Sequence, residues 1–279
     1  MSSTPFRLRW SGRTDRGKVR KNNEDAFLAV RMANFDVQLL GKEGESELGD
    51  TPFAFAVSDG MGGARAGEYA SRIAVDKLTK MLPLWRGIAL ADLSTKSTAF
   101  FNSLFDDIHR ALCYLGTSYE ECLGMEATFS LIWFSGRRVF FAHIGDTRIY
   151  HFEAASGRFR QLTEDDTHVG WLYRTGRINE REARSHPRRH ILQKALGGQN
   201  QFVTPQVGQL DCEPGDRFLV CSDGVTEELY DRDIIEILER PVSVVANPAA
   251  ALVEAVLSRG ARDNATAVVI DFQLGFTPS

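Results

Sequence analysis

The chain has 279 residues, of which 43% are hydrophobic and 25% are charged, the balance of an ordinary globular protein. Its formal net charge of −4 argues against nucleic acid as the main partner, because proteins that bind nucleic acid usually carry a basic excess. No apolar run approaches the roughly 18 residues of a membrane span, and Met1–Trp10 lacks the apolar segment of a secretory signal. These features predict a cytoplasmic protein without a membrane partner.

Runs rich in valine, isoleucine and phenylalanine predict the strands. In chain order they are Ala26–Val30, Phe35–Leu40, Phe53–Ser58, Thr128–Phe134, Arg138–Ile144, Arg148–Phe152, Arg217–Ser222 and Ala265–Phe272. Helical spacing of apolar residues predicts helices over Ala66–Leu82, Leu93–Leu115, Asp233–Glu239 and Ala249–Ser258, the last with Asn247 as N-cap and Pro248 at its first position. This mixture of elements is typical of an α+β fold, and the lack of repeats and long linkers predicts one domain over residues 1–279.

Two segments lack a clear helix or strand pattern. Gly41–Thr51 is polar and acidic and is predicted to be a connection between strands. Thr167–His190 is rich in arginine, and a long irregular stretch inside a domain usually forms a lid or a binding loop.

The cysteines exclude several chemistries. They stand at positions 113, 122, 212 and 221 and form no C-x-x-C pair, so we expect no structural zinc site. None has an arginine six positions later, as the thiolate and phosphate loop of a cysteine phosphatase would require. We expect all of them to be small buried side chains.

Carboxylates stand at the ends of the predicted strands. They are Glu24, Asp25, Asp59, Asp146, Asp223 and Asp263. A carboxylate is costly to bury unless a cation balances it, and oxygen ligands without a matching set of His or Cys favour Mg²⁺ or Mn²⁺. The alternative is that each acid is only a turn or cap residue, since Asp-Gly is a common turn dipeptide. Taken together the acids favour a site for two or more metals, which can activate water and hold a phosphoryl group.

Glycines follow the first of these aspartates, at Gly60, Gly62 and Gly63. They allow the backbone to approach a ligand closely, so the Gly60 carbonyl is itself a candidate metal ligand. A dinucleotide loop is excluded because Arg65 stands where its third glycine would be.

Short blocks in a fixed order resemble the type 2C, metal-dependent protein serine/threonine phosphatases of bacteria. They are Asp15–Asp25, Val57–Gly63, His143–Arg148, Gln161–Asp165, Cys221–Gly224 and Arg262–Thr266. The resemblance implies a four-layer α-β-β-α sandwich, in which helices flank two antiparallel sheets and the metal centre lies at one end. It also implies a domain core over about residues 10–273 and a variable flap over about 167–190.

The resemblance assigns the metal ligands. Asp59 would bridge two Mn²⁺ or Mg²⁺ ions, the Gly60 carbonyl would reach the second ion, and Asp223 and Asp263 would hold the first. A third, weaker metal position would use Asp146 together with Asp223. An acid near that third position would be Asp165, with Asp166 as the neighbouring option.

The resemblance also implies the catalytic roles. Glu24 and Asp25 would act mostly through metal-bound waters, and Arg20 would bind the phosphate, since a planar guanidinium meets two phosphate oxygens at once. A water bridging the metals would attack phosphorus directly, so no phosphoenzyme would form. Met61 departs from the eukaryotic pattern, which has a histidine there as candidate acid, and His143 is expected to be a core residue.

The function implied is hydrolysis of phosphoserine and phosphothreonine in proteins, opposing a bacterial serine/threonine kinase. Its partners would be that kinase or the kinase's substrates. One alternative is a catalytically weak pseudo-phosphatase that binds phosphoproteins. Another is a regulator of an anti-sigma-factor pathway.

The segment from Gly124 to Thr128 departs from the family pattern. Glu126 and Ala127 differ from the Gly-Thr-Thr run that the family usually shows at this position.

Overall fold

Two antiparallel β-sheets packed face to face form the centre of the fold. A computed structural model describes residues 6–33, 36–49, 51–62, 66–85, 90–198, 203–241 and 243–275. The strands are β1 Phe6–Asp15, β2 Asp25–Ala33, β3 Asp36–Leu39, β4 Glu43–Leu48, β5 Phe53–Met61, β6 Glu126–Ala127, β7 Phe129–Ser135, β8 Arg138–Ile144, β9 Arg148–Glu153, β10 Arg158–Gln161, β11 Leu196–Gly197, β12 Gln206–Asp211, β13 Arg217–Cys221 and β14 Ala265–Leu274. The helices are α1 Ala66–Met81, α2 Leu90–Ser118, α3 His168–Arg174, α4 Glu180–Ser185, α5 Asp223–Glu228, α6 Asp231–Glu239 and α7 Pro248–Arg259.

The strands that end at the acidic residues are divided between the two sheets. The six-stranded first sheet runs β10-β9-β13-β14-β1-β4. The eight-stranded second sheet runs β11-β6-β5-β7-β8-β12, with β2 paired to β5 and β3 paired to β2. The antiparallel register sets Asp25 of β2 directly opposite Asp59 of β5.

The core has three apolar layers, which produce the four-layer architecture. Between the sheets, Phe134 packs edge-on against Phe55 and, across the sandwich, against Phe218 of β13, at centroid distances of 6.0 and 5.3 Å. Helices α1 and α2 cover the outer face of the second sheet, and α5, α6 and α7 cover the first. The predicted α+β sandwich with helices on both outer faces is therefore confirmed.

Most predicted elements are confirmed, with their ends shifted by a few residues. The predicted cap of α7 is also correct, since the Asn247 side chain accepts a hydrogen bond of 2.7 Å from the Ala250 amide. Phe35, at the start of one predicted strand, lies outside the described residues. The described helices include none that is long and apolar enough to cross a membrane.

The prediction of a connecting loop over Gly41–Thr51 is wrong, because residues 43–48 form strand β4 along the edge of the first sheet. Gly44 lies against the Trp10 ring of the neighbouring strand and leaves no room for a side chain. The acidic residues that suggested a loop instead lie on an edge strand, where charge discourages pairing with another chain.

The flap segment also contains more order than its sequence predicts. Thr167 caps α3 by accepting a hydrogen bond of 2.8 Å from the Gly170 amide. Asn179 and Glu182 form a capping box at the start of α4. Both helices are too short for apolar periodicity to reveal them.

Replacing Phe134 by alanine tests the packing between the sheets. Phe134 is fully buried and joins aromatic rings of both sheets, so Phe134→Ala is expected to lower the free energy of unfolding by about 3–5 kcal/mol. Urea unfolding followed by circular dichroism measures the loss. Tyr114→Ala is the control, because Tyr114 on α2 is 66% exposed, and equal losses in the two variants would contradict this account of the core.

Candidate metal centre

One end of the sandwich gathers the acids from both sheets. Asp223 begins α5 directly after β13, and Asp263 precedes β14, the strand that pairs with β13. Asp59 lies near the end of β5, where its backbone amide donates a hydrogen bond of 3.0 Å to the Thr128 hydroxyl. Strand pairing thus brings together residues that are far apart in the sequence.

Hydrogen bonds between the sheets fix this end of the sandwich. The Ser222 hydroxyl donates to Asp25 Oδ2 at 2.7 Å, and the Glu24 amide donates to Asn264 Oδ1 at 2.8 Å. The Asn264 amide group also donates to the carbonyls of Arg16 and Asn22, each at 2.9 Å. Neutral groups therefore fix the positions of Asp25 and of the Glu24 backbone, and these groups carry no charge to offset the repulsion among the acids.

Burial and mutual repulsion raise the pKa values of the central acids. Asp25 is only 8% exposed, and burial, aided by the charges of Asp223 and Asp263, raises its pKa to about 7. Burial and the neighbouring Asp25 and Asp223 carboxylates raise the pKa of Asp59 well above its usual value. Burial and Asp223 do the same to the pKa of Asp146. A cation would relieve this repulsion.

Two carboxylate oxygens in the cluster lack hydrogen-bond donors among the described residues. Asp25 Oδ1 and Asp223 Oδ1 are buried and accept no hydrogen bond. Buried carboxylate oxygens of this kind fit hard divalent cations such as Mg²⁺ and Mn²⁺. The donor set present here therefore fits the metals that the sequence predicts.

The glycines bring the backbone of α1 against the end of β5. A methyl group on Gly67 would lie 2.6 Å from the Gly60 carbonyl oxygen and 2.8 Å from Glu24 Oε1. Only glycine allows this approach, which sets the Gly60 carbonyl beside the Glu24 carboxylate. Gly63 lies outside the described residues.

Arg20 lies at the open side of the cluster. Its Nη2 is 2.5 Å from Asp263 Oδ2, and 49% of its side chain is exposed. Burial, with help from Asp263 and Glu68, raises the pKa of Glu24, whereas the Arg20 charge opposes the increase. Arg20 is therefore anchored to a cluster acid and still accessible to an incoming anion.

Asp165 and Asp166 have protein partners. Arg148 donates to both oxygens of Asp165, with its shortest bond at 2.6 Å, and outweighs burial to lower the pKa of that carboxyl. Asp166 accepts from the Gly145 amide at 3.1 Å and pairs with Lys194 at 3.0 Å. Their association with a third metal stays a prediction.

His143 lies in the core, as predicted. It is fully buried, and its ring nitrogens contact the Ser130 hydroxyl at 2.8 Å and the Gly145 carbonyl at 3.1 Å. Burial lowers the pKa of His143, so the ring is neutral and supports the turn that precedes Asp146.

Sequence reasoning missed two residues beside Asp223. His190 of the flap lies 3.0 Å from Glu227 Oε1 and 3.9 Å from Asp223 Oδ2, measured from Nδ1. Glu227 is one helical turn after Asp223 on α5, a spacing that would have been visible had the short helix been predicted. No sequence pattern connects His190 to either acid.

Comparisons with known proteins agree with this architecture. A family model described as protein phosphatase 2C matches residues 44–262. The chain is 35% identical over 271 residues to the serine/threonine protein phosphatase PstP of Mycobacterium tuberculosis, covering 97% of this chain but 46% of that protein. It is 29% identical to the serine/threonine phosphatase stp of Listeria monocytogenes over 94% of this chain and 95% of that one.

A solved structure of the PstP catalytic domain in complex with two manganese ions is also similar. The TM-score is 0.75 at 32% identity, over 96% of this chain and 99% of that chain. The chain thus spans about half the length of the M. tuberculosis relative, and it covers nearly all of the PstP catalytic domain in the manganese-bound structure.

Stability in EDTA is expected to decrease as the pH rises. Asp25, Asp59 and Asp146 have raised pKa values in the folded chain, so their protonated forms stabilise it below about pH 4. That stabilisation is lost as the pH rises through about 7, the pKa of Asp25, and added Mn²⁺ should restore it. Thermal unfolding at pH 5 and pH 8, with EDTA and with Mn²⁺, measures the effect.

Asp59→Asn serves as the matched variant for this experiment. Removing one buried charge should raise the free energy of unfolding in EDTA at pH 8 by about 1–2 kcal/mol and weaken stabilisation by Mn²⁺. Asp76→Asn, at an exposed position on α1, should change neither quantity appreciably. A loss of stability in Asp59→Asn under EDTA would contradict the repulsion inferred here.

Proposed function

The chain belongs to the protein phosphatase 2C family, and from that premise we propose that it is a metal-dependent protein serine/threonine phosphatase. The convergence of buried acids from both sheets beside an accessible arginine carries the proposal. The names of its relatives support the same substrate class, phosphoserine and phosphothreonine in proteins.

We propose Asp59, Asp223, Asp263 and the Gly60 carbonyl as the groups that hold two Mn²⁺ or Mg²⁺ ions. When bound, such ions supply an activated water and positive charge for the phosphoryl group. Asp59 is suited to a bridging role because it lies opposite Asp25 across β2 and β5, and burial and the charges of Asp25 and Asp223 raise its pKa.

Arg20 is proposed to bind and orient the phosphoryl group. Its guanidinium is half-exposed, and Asp263 holds one side of it, so free N–H groups can donate to two phosphate oxygens. Glu24 and Asp25 are proposed to order water around the metals. Asp25 begins β2 and Glu24 directly precedes it, and hydrogen bonds to Ser222 and Asn264 hold them in the same frame.

The leaving oxygen requires a proton from a group other than Met61. Met61 pairs with Glu126 across β5 and β6, and a thioether cannot donate a proton. We assign this proton to water.

The proposed partners are phosphoserine and phosphothreonine proteins, including a serine/threonine kinase or its substrates. A cytoplasmic location stays a prediction. Hydrolysis is favoured over a pseudo-phosphatase because every acid of the predicted metal set is present in the sequence.

Metal removal tests the activity itself. Hydrolysis of a phosphothreonine peptide is expected with Mn²⁺ or Mg²⁺ and should stop in EDTA, because Asp59, Asp223 and Asp263 alone cannot activate water. Phosphate release measured by a colorimetric assay checks this. Asp223→Asn should lose nearly all activity, and full activity of that variant with metal present would refute the proposal.

Substitution of Arg20 tests phosphate binding. Arg20→Ala is expected to lower kcat/KM for the phosphopeptide by roughly 10- to 100-fold, the effect of losing charge-assisted hydrogen bonds worth about 1.5–3 kcal/mol. Lys18→Ala is the control, since Lys18 is an exposed cation two residues away. Equal decreases in the two variants would show that only the local positive charge matters.

A further inference from the structure

We propose that Arg16 and Lys21, on the loop that joins β1 to β2 (residues 16–24), bind an acidic group beside the phosphorylated residue of a peptide substrate. The inference rests on the proposed function and specifies its substrate class, a phosphopeptide that carries a second negative charge close to phosphothreonine. Arg20 of the same loop is the residue proposed to bind the phosphoryl group itself.

The two cations converge on this loop. Arg16 Nη1 donates to the Lys21 carbonyl at 3.2 Å, so the Arg16 side chain crosses from one end of the loop to the other. Both residues are exposed, and among the residues that the structure describes no acid forms an ion pair with either of them. Positive charge therefore accumulates in one place, and a bound anion would lower its electrostatic energy.

The chemistry of the pair fits an oxyanion. A guanidinium has five N–H donors, and the Lys21 carbonyl is the one partner of the Arg16 guanidinium within the described part of the chain. Its other donors suit the two oxygens of a carboxylate or of a phosphate, which accept charge-assisted hydrogen bonds. The ammonium group of Lys21 adds a point charge on a flexible stem that adapts to either anion.

One side chain anchors this loop to the proposed metal centre. The Asn264 amide group donates to the carbonyls of Arg16 and Asn22, each at 2.9 Å, and thus holds the loop near both of its ends. The same side chain accepts from the Glu24 amide at 2.8 Å. The backbone that carries the cations is therefore fixed before a substrate arrives, which lowers the entropic cost of binding.

Sequence spacing sets how far the second anion lies from phosphothreonine. Lys21 is adjacent to Arg20, so their Cα atoms are about 3.8 Å apart and their long side chains can diverge from there. An extended peptide advances about 3.3 Å per residue, so an acid two or three positions from phosphothreonine lies about 7–10 Å along the peptide. Such an acid would reach the pair while Arg20 holds the phosphoryl group.

The competing interpretation is that the loop only adds to a general positive field. The chain as a whole has a net charge of −4, and elsewhere an exposed cation such as Lys80 is paired with Asp76 at 2.6 Å. A general field would act through every cation of the loop, including Lys18. A built site depends on Arg16 and Lys21, which the structure brings into contact.

The experiment measures peptide preference in the full chain loaded with Mn²⁺. One phosphothreonine peptide has glutamine at all flanking positions, and the others have a single glutamate two or three positions away on either side. We expect kcat/KM for the best glutamate peptide to exceed that for the glutamine peptide by about three- to tenfold, through a lower KM, as exposed ion pairs allow. A non-hydrolysable phosphonate in place of that glutamate shows by its KM whether a carboxylate or a second phosphate is the better anion.

Substitution of the pair should remove this preference. Arg16→Gln and Lys21→Met are each expected to reduce the ratio of kcat/KM between the glutamate and glutamine peptides by at least about half. Lys21→Glu should reverse the preference and favour a peptide with lysine at the same position. Because each ratio is measured within one variant, a general loss of folding or of metal binding cancels.

Lys18→Met is the matched control, because Lys18 is an exposed cation of the same loop, and its ratio should equal that of the unchanged chain. Equal kcat/KM for all the peptides would overturn this inference and leave the proposed function intact. A preference that persists in Arg16→Gln and Lys21→Met, or that decreases as much in Lys18→Met, would also overturn it. Failure to hydrolyse any of the peptides with Mn²⁺ present would overturn the proposed function as well.

Discussion

Repulsion among buried carboxylates is the constraint on which the rest of this structure depends. Asp25, Asp59 and Asp146 have raised pKa values because burial and neighbouring acids both penalise their charged forms. A fold gains no stability from such an arrangement without cations. The surrounding sandwich must therefore hold the acids in place against their own repulsion, which requires a rigid frame on every side.

The frame comes from the two sheets and the neutral side chains that join them. Phe134 and its aromatic neighbours fix the distance between the sheets, while Ser222 and Asn264 connect the acidic ends. Because these contacts need no metal, the ligand geometry can exist before a cation arrives. Such preorganisation increases affinity, since little conformational entropy is lost on binding.

The sequence was most informative where local pattern and chemistry coincide. Apolar runs ending in Asp59 or Asp223 identified both the strands and the acids, because buried strands and charged ends have opposite compositions. Strand β4 was missed because its acidic residues resemble a loop, although pairing with β1 accommodates them at the sheet edge. Long-range pairs such as Arg148 with Asp165, or His190 with Glu227, leave no periodic signal. Only the folded topology brings them together.

The helix that begins with Asp223 also anchors the flap. Arg184 of α4 donates to the carbonyls of Thr226 and Leu229 at 2.8 and 3.0 Å and stacks on the Tyr230 ring, while His190 reaches the helix at Glu227. A displacement of the flap would therefore alter contacts on the helix that supplies Asp223, a proposed metal ligand. The flap thus has a direct physical connection to the helix that begins with Asp223.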